Sequence, residues 1–145
     1  MDTLNLGTMN ERTIKQATTT HQPLRALVVD DRDDVAMGLA MFLKQLGYTV
    51  QVANQAQEAL EKGEIFRPDV VFLDIGLPDL SGYEVCLEMR RSEWGANAFI
   101  VAVTGRSEPS DMLRAAQTGF DRHVSKPMGF GTLREILRSV ETRAA

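Results

Sequence analysis

The stretch VVFLDIGLPDLSGYEV, residues 70–85, runs from four apolar residues directly into a carboxylate, Asp74. A proline follows at Pro78, so the chain turns soon after this charge. Ser81 and Glu84 then form an S-x-x-E capping box, which predicts that a helix begins there. A buried strand therefore ends on a charged group, and the partners of that group have to be found elsewhere in the chain.

The same order of apolar run, turn and helical pattern is repeated from Leu24 onward. Continuous apolar strands that alternate with helices are typical of a parallel sheet covered on both faces. Gly47 and Gly119 follow two of the helical patterns and are predicted to end those helices. The predicted strands are LRALVVD (24–30), YTVQVA (48–53), DVVFLD (69–74), AFIVAVT (98–104) and FDRHV (120–124).

Composition limits the classes of protein that the chain can belong to. The 145 residues carry a formal net charge of −4 without a cluster of Lys and Arg, which argues against sequence-independent binding to nucleic acid. The single cysteine, Cys86, rules out an intrachain disulfide and fits a reducing cytoplasm. No apolar run approaches the roughly 18 residues that span a bilayer. Residues 1–23 are polar and are expected to be a flexible tail before one domain, residues 24–143.

Polar side chains follow four of the five predicted strands. Asp30 and Asp31 end the first strand, Asp74 the third and Thr104 the fourth, and the fifth leads to Lys126. The carboxyl ends of parallel strands meet at one edge of the sheet, where open α/β folds bind their ligands. We therefore expect these five side chains to lie close together.

The expected cluster predicts a particular chemistry. Three neighbouring carboxylates repel one another unless a cation binds, and hard oxygen ligands suit Mg²⁺. A carboxylate can act as a nucleophile toward phosphorus and form an acyl phosphate. Lys126 would offset charge on the phosphoryl oxygens, and Thr104 could donate a hydrogen bond to the attached group.

The motifs VVDD (28–31), VVFLDIGLPDLSG (70–82), VAVTG (101–105) and SKP (125–127) together resemble the receiver domain of two-component response regulators. The resemblance covers roughly residues 24–141. It implies a flavodoxin-like α/β fold, a doubly wound five-stranded parallel sheet of order 2-1-3-4-5 with five helices. It also implies that Asp74 is the phosphoacceptor, that Asp30, Asp31 and the backbone carbonyl of Gly76 complete the Mg²⁺ site, and that the bond before Pro127 is cis and aims Lys126 at the phosphate.

The resemblance further implies a signalling module rather than an enzyme, apart from slow self-phosphorylation from small phosphodonors and self-dephosphorylation. A histidine kinase or a histidine phosphotransfer protein would donate the phosphoryl group. Thr104 would then move inward and bias a surface formed by the fourth helix, the fifth strand and the fifth helix, which binds a downstream protein. The chain ends at Ala145, soon after the predicted fifth helix, so no output domain is expected.

Three positions depart from the family's usual pattern or tune it. His123 stands where the family usually has Tyr or Phe, a ring that swings inward on phosphorylation. It is either a surface residue without a switching role or a switch that a proton could influence near neutral pH. Gly76 and Arg106 occupy the two positions that flank the water attacking the phosphoryl group. Because Gly76 has no side chain to orient that water, slow self-dephosphorylation is expected.

Alternative functions remain at this stage. An aspartate-nucleophile phosphatase would need D-x-D, but Gly76 occupies the second acid position. A flavin-binding domain would need a phosphate-cradling first loop, but the loop DDRDD (30–34) is acidic. A receiver fold that acts as an unphosphorylated scaffold is the third alternative.

Three further acids are not expected to take part in the site. Asp33 and Asp34 are expected only to start a helix, and Asp79 is expected to be solvated in an outward turn.

Overall fold

The computed structural model describes residues 22–105 and 108–144, and strands and helices alternate throughout this part of the chain. The strands are β1 (Arg25–Val29), β2 (Thr49–Ala53), β3 (Val70–Asp74), β4 (Phe99–Thr104) and β5 (Arg122–Ser125). The helices are α1 (Asp33–Gln45), α2 (Ala56–Phe66), α3 (Gly82–Arg91), α4 (Pro109–Thr118) and α5 (Phe130–Ala144).

The five strands form one parallel sheet in the order β2-β1-β3-β4-β5, which confirms the predicted fold class and strand order. The register aligns the carboxyl ends of the strands. Asp74 lies opposite Val103, and Thr104 lies opposite Ser125. The polar residues that end the strands are therefore brought to the same edge of the sheet.

Both faces of the sheet are covered, because alternate residues of each strand pack on opposite sides. Phe72 of β3 belongs to the core between the sheet and helices α1 and α5. Leu73, the next residue, belongs to the core between the sheet and helices α2, α3 and α4. All five residues of β3 are buried, which explains why this strand is an unbroken apolar run up to its terminal carboxylate.

The predicted element boundaries agree with the structure to within a few residues. Gly47 and Gly119 have φ angles of 98° and 107°, a conformation that glycine adopts easily, and they end α1 and α4 as predicted. The last strand, Arg122–Ser125, begins two residues later than predicted. Most of the expected tail, residues 1–21, lies outside the described residues.

The Asp79 side chain is exposed, as expected, and it also has a structural role that the sequence did not indicate. Its carboxylate accepts hydrogen bonds from the backbone N–H groups of Ala56 (2.9 Å) and Gln57 (3.1 Å), in the first turn of α2. The pKa of the Asp79 carboxyl is lowered, chiefly by the hydrogen bond from Ala56. Asp79 therefore caps α2 from the loop that follows β3, a contact between residues that lie 23 positions apart.

Arg90 ties the end of α3 to two loops. Its guanidinium donates hydrogen bonds to the carbonyl oxygens of Ala98 (2.7 Å), Gly95 (2.9 Å) and Gly119 (2.6 and 2.9 Å). It also pairs with the Asp121 carboxylate at 2.9 Å. Because buried carbonyl groups need hydrogen-bond partners, this one side chain stabilises the loop before β4 and the C-terminal end of α4.

None of the helices described is long and apolar enough to cross a membrane.

Candidate functional site

The structure brings three carboxylates together at the carboxyl edge of the sheet. Asp30, directly after β1, and Asp74, at the end of β3, are buried, with exposed fractions of 5% and 7%. Asp31 is exposed beside them. One carboxylate oxygen from each of the three residues can be chosen so that all lie within 4.8 Å of one another. Residues 44 positions apart in sequence thus share one small acidic site.

Lys126 supplies positive charge between the two buried acids. Its Nζ atom lies 3.2 Å from Asp30 Oδ2 and 3.4 Å from Asp74 Oδ2. The peptide bond between Lys126 and Pro127 is cis, as the resemblance implied. The ammonium group therefore lies where it reduces the repulsion between the two carboxylates and would also face an anion bound to either of them.

The environment of Asp74 disfavours its charged form. Burial raises the pKa of the Asp74 carboxyl above its ordinary value, and the nearby Asp30 carboxylate contributes in the same direction. The Gly76 backbone N–H, which donates to Asp74 Oδ1 at 3.0 Å, and the Lys126 ammonium act in the opposite direction. The Gly76 N–H and the Lys126 ammonium do not fully offset the cost of burying the charged Asp74 carboxylate. An additional cation at this site would therefore stabilise the ionised form of Asp74.

Thr104 ends β4, the strand next to β3, and Gly76 lies two residues after Asp74 in the loop that follows β3. Thr104 is buried at the end of β4, and its carbonyl oxygen accepts a 2.7 Å hydrogen bond from the Lys126 N–H. Gly76 follows β3, and a Cβ atom at this position would lie 3.9 Å from Asp74 Oδ1. A side chain at residue 76 would therefore start next to the Asp74 carboxylate. Arg106, the other residue expected to tune dephosphorylation, lies outside the described residues.

His123 lies in β5 opposite Ala102 of β4. Its neighbour Val124 packs on the side of α1 and α5, so strand alternation places His123 on the face that α3 and α4 cover. The side chain is partly buried, and within the described part of the chain the buried Nε2 atom has no hydrogen-bond partner. Burying a nitrogen atom without a hydrogen-bond partner costs free energy of folding. His123 therefore differs from an ordinary surface residue, whose ring is in contact with water.

A cavity of about 520 Å³ opens beside the acids, and sequence reasoning missed it. It lies between α1 and the start of α5, and charged groups line one part of it whereas most of its wall is apolar. The spacing of Val35, Leu39 and Phe42 in α1 indicated a helix face that packs on the core. It could not show that the face leaves space next to Asp74, because that depends on where α5 lies.

The donor set fits a hard divalent cation. The three side chains that lie close enough to bind one ion offer only carboxylate oxygens, which are the ligands that Mg²⁺ prefers. Two of them are buried and are balanced by a single lysine. The residues present therefore fit the Mg²⁺ site that the resemblance implied.

Sequence comparisons agree with this site. The family model described as "Response regulator receiver domain" matches residues 26–138, and the chain belongs to this family. The response regulator MprA of Mycolicibacterium vanbaalenii is 35% identical over 121 residues, covering 83% of this chain and 52% of that protein. The alkaline phosphatase synthesis transcriptional regulatory protein PhoP of Bacillus subtilis is 35% identical over 103 residues, covering 71% of this chain and 42% of that protein. The chain thus spans about half the length of these relatives.

Solved structures support the same assignment. A CheY-like response regulator receiver domain protein from Methanospirillum hungatei superposes with a TM-score of 0.78 at 25% identity, covering 85% of this chain and 98% of that one. The chemotaxis protein CheY4 of Vibrio cholerae gives a TM-score of 0.78 at 26% identity, covering 82% of this chain and 99% of that one. The fold is therefore that of a receiver domain.

The first testable prediction concerns metal and the buried acid. The folded state holds the Asp74 proton more tightly than the unfolded state, because the pKa of Asp74 is raised. This group therefore lowers the free energy of unfolding as pH rises from the ordinary pKa of aspartate to the raised pKa of Asp74, and its effect is constant above that pKa. Without Mg²⁺, Asp74→Asn should raise the free energy of unfolding at neutral pH by ~1 kcal/mol, measured by urea denaturation.

In the presence of Mg²⁺ the wild-type protein should be more stable than Asp74→Asn. At about 100 times its dissociation constant, Mg²⁺ should stabilise the wild-type protein by ~2.7 kcal/mol and Asp74→Asn by much less. The control is Asp33→Asn, which removes an exposed acid in the first turn of α1 and should leave the Mg²⁺ effect intact. Equal stabilisation of wild type and Asp74→Asn by Mg²⁺ would contradict the assignment of Asp74 as a ligand.

Proposed function

We propose that residues 24–143 form a receiver module that accepts a phosphoryl group on Asp74 from a phosphohistidine donor in the presence of Mg²⁺. The observation that carries the proposal is the position of the Lys126 ammonium, 3.2 Å from Asp30 and 3.4 Å from Asp74, with Asp31 close enough to share a cation. A buried carboxylate beside a cation site and a lysine has the groups that phosphoryl transfer to an acid requires.

In the proposed reaction an oxygen of the Asp74 carboxylate attacks phosphorus. The bond between phosphorus and the imidazole nitrogen of the donor breaks, and its electron pair remains on that nitrogen. Lys126 would offset the charge on the transferred phosphoryl oxygens, and the Thr104 hydroxyl would donate to one of them. Mg²⁺, when bound by Asp30, Asp31, Asp74 and the carbonyl of Gly76, supplies further positive charge to the same oxygens.

The donor would be a histidine kinase or a histidine phosphotransfer protein, and the response would be read by a downstream protein. Thr104 ends β4, and the chain leads from it towards α4, so a shift of Thr104 towards a phosphoryl group would be transmitted to that helix. Met112 and Leu113 of α4 are half exposed or more, at 50% and 60%. The surface of α4, β5 and α5 is therefore proposed as the one that phosphorylation changes and that the downstream partner binds.

The second prediction tests the acceptor directly. Incubation with Mg²⁺ and acetyl phosphate or phosphoramidate should add one phosphoryl group to the wild-type protein, because Asp74 can attack these small donors without a kinase. Intact mass spectrometry should detect this gain in the wild type and not in Asp74→Asn. A chelator should abolish it, since the carboxylates would then lack their cation.

The same experiment distinguishes the proposed function from the two alternatives, an unphosphorylated scaffold and a phosphatase. An unphosphorylated scaffold would show no mass gain with any donor, and a phosphatase would release free phosphate over many turnovers. Asp33→Asn serves as the control, because it removes a neighbouring acid without touching the buried pair. A mass gain that persists in Asp74→Asn would contradict the assignment of the acceptor.

The third prediction concerns His123, which we propose as part of the switch with Thr104. Its partly buried ring and unpartnered Nε2 atom lie on the face of the sheet that α4 covers, so a shift of Thr104 and α4 would change its surroundings. Phosphorylation should therefore shift the ¹H and ¹³C resonances of the His123 ring in NMR spectra. His21, in the segment before the domain, provides an internal reference; an unchanged His123 ring would remove this residue from the switch.

The fourth prediction concerns the lifetime of the phosphorylated protein. Gly76 lies beside the acceptor and has no side chain to hold an attacking water. We propose slow self-dephosphorylation, with Arg106 contacting the phosphoryl group. Arg106→Ala should change the half-life of phosphorylated Asp74 several-fold, measured by the loss of the added mass with time. Gly76→Asn should shorten the half-life, because an amide could orient water; no change in Arg106→Ala would exclude a role for Arg106.

A further inference from the structure

The cavity beside the acids is the feature that the proposed function leaves unused. It has a volume of about 520 Å³ and is lined both by Asp74 and Lys126 and by apolar residues of α1 and α5. We propose that this cavity holds the apolar leaving group of a small phosphodonor, so that the chain reacts faster with medium-chain acyl phosphates than with acetyl phosphate. This inference rests on the proposed function, because it concerns the substrate class of the same site.

The walls of the cavity are predominantly aliphatic and aromatic. Helix α1 forms one side and the segment from Met128 to the first turn of α5 forms the other, with β1, β3 and β4 as the floor. A volume of this size lies in the range of roughly 300–1,000 Å³ that is typical of small-molecule sites. The apolar lining residues are Val28, Val29, Val35, Ala36, Leu39, Phe42, Phe72, Val103, Met128, Phe130 and Leu133.

Apolar surface also extends to the rim of the cavity. Phe42 and Phe130 stack with their ring centroids 4.4 Å apart, and Phe130 is 66% exposed. Val35, on the facing helix, is 39% exposed. An alkyl chain in the cavity would cover part of this surface, and burial of apolar area favours binding.

The charges at one part of the cavity select the chemical class of the occupant. The charged residues that line the cavity are Asp30, Arg32, Asp74 and Lys126, and the Lys126 ammonium lies beside both carboxylates. A neutral apolar molecule would leave these charges unused. An acyl phosphate has an apolar chain for the walls and a phosphoryl group for the acceptor, and its charge is the one that the proposed cation site and Lys126 accommodate.

The transfer step balances without another reactant. An Asp74 oxygen attacks phosphorus, and the bond between phosphorus and the acyl oxygen breaks. The electron pair of that bond leaves with the acyl group, which becomes a carboxylate anion. The products are phosphorylated Asp74 and the free carboxylate, and no proton has to be supplied.

The experiment compares acetyl, butyryl and hexanoyl phosphate with Mg²⁺. Straight-chain carboxylates of this length are leaving groups of nearly equal basicity, so a change in rate reports binding of the chain. The second-order rate constant for the gain of one phosphoryl mass should rise about two- to fourfold for each methylene buried, up to the length that fills the cavity. The quantity to compare between variants is the ratio of the hexanoyl rate to the acetyl rate.

Gly38 offers a way to fill the cavity without disturbing the acids. It lines the cavity from α1, and among the described residues a Cβ atom there would have no contact within 4 Å beyond its chain neighbours and the backbone of its own helix. Gly38→Leu should bring the hexanoyl-to-acetyl ratio close to one. Gly131→Leu is the matched control, because Gly131 of α5 is equally open but does not line the cavity, so the ratio should stay as in wild type.

A second variant guards against an effect of Gly38→Leu on folding. Phe130→Ser removes exposed apolar surface at the rim and should also lower the ratio. Equal rates for the three donors in wild type, or a ratio that Gly38→Leu and Phe130→Ser leave unchanged, would overturn the inference while leaving the proposed function intact. Either of these results would mean that the cavity binds a different group, such as a side chain of a protein donor. The absence of phosphorylation by any donor would overturn both proposals.

Discussion

The site depends on the electrostatic relation between two buried carboxylates and one ammonium group. Asp30 and Asp74 are almost completely removed from water, and Lys126 lies within 3.4 Å of both. One lysine does not neutralise three acids, so the edge of the sheet retains a net negative charge. Removal from water raises the pKa of Asp74 above its ordinary value, and the Asp30 carboxylate contributes in the same direction. The cation that we propose at this site would relieve the incompletely compensated charge of the three acids.

The parallel sheet makes this arrangement possible, since every strand delivers its last residue to the same edge. The buried pair and the lysine come from the ends of β1, β3 and β5, which are separated by long crossovers through helices. Contacts away from the site keep these ends in register. Asp79 caps α2, and Arg90 holds the loop before β4 together with the end of α4. Hydrogen bonds that Asp79 accepts and Arg90 donates thus stabilise helices that adjoin the loops at the functional edge.

Much of the fold followed from local patterns in the sequence. The apolar runs predicted the strands, and Gly47 and Gly119 marked the ends of two helices because positive φ angles favour glycine. The start of β5 was less well predicted, since this boundary depends on packing rather than on a stop residue. The role of Asp79 was missed entirely. Nothing in the turn that contains it indicates that its carboxylate reaches the first turn of a helix 23 residues earlier.

The sequence by itself determined the order of strands and helices and the polar residues that follow four of the five strands, because apolar periodicity and turn residues act locally along the chain. It also determined which residues could take part in phosphoryl chemistry. Only the tertiary structure decided the distances among Asp30, Asp74 and Lys126, the inward position of the His123 Nε2 atom and the cavity between α1 and α5. These features depend on how helices pack against the sheet, and packing is set by contacts between residues far apart in sequence.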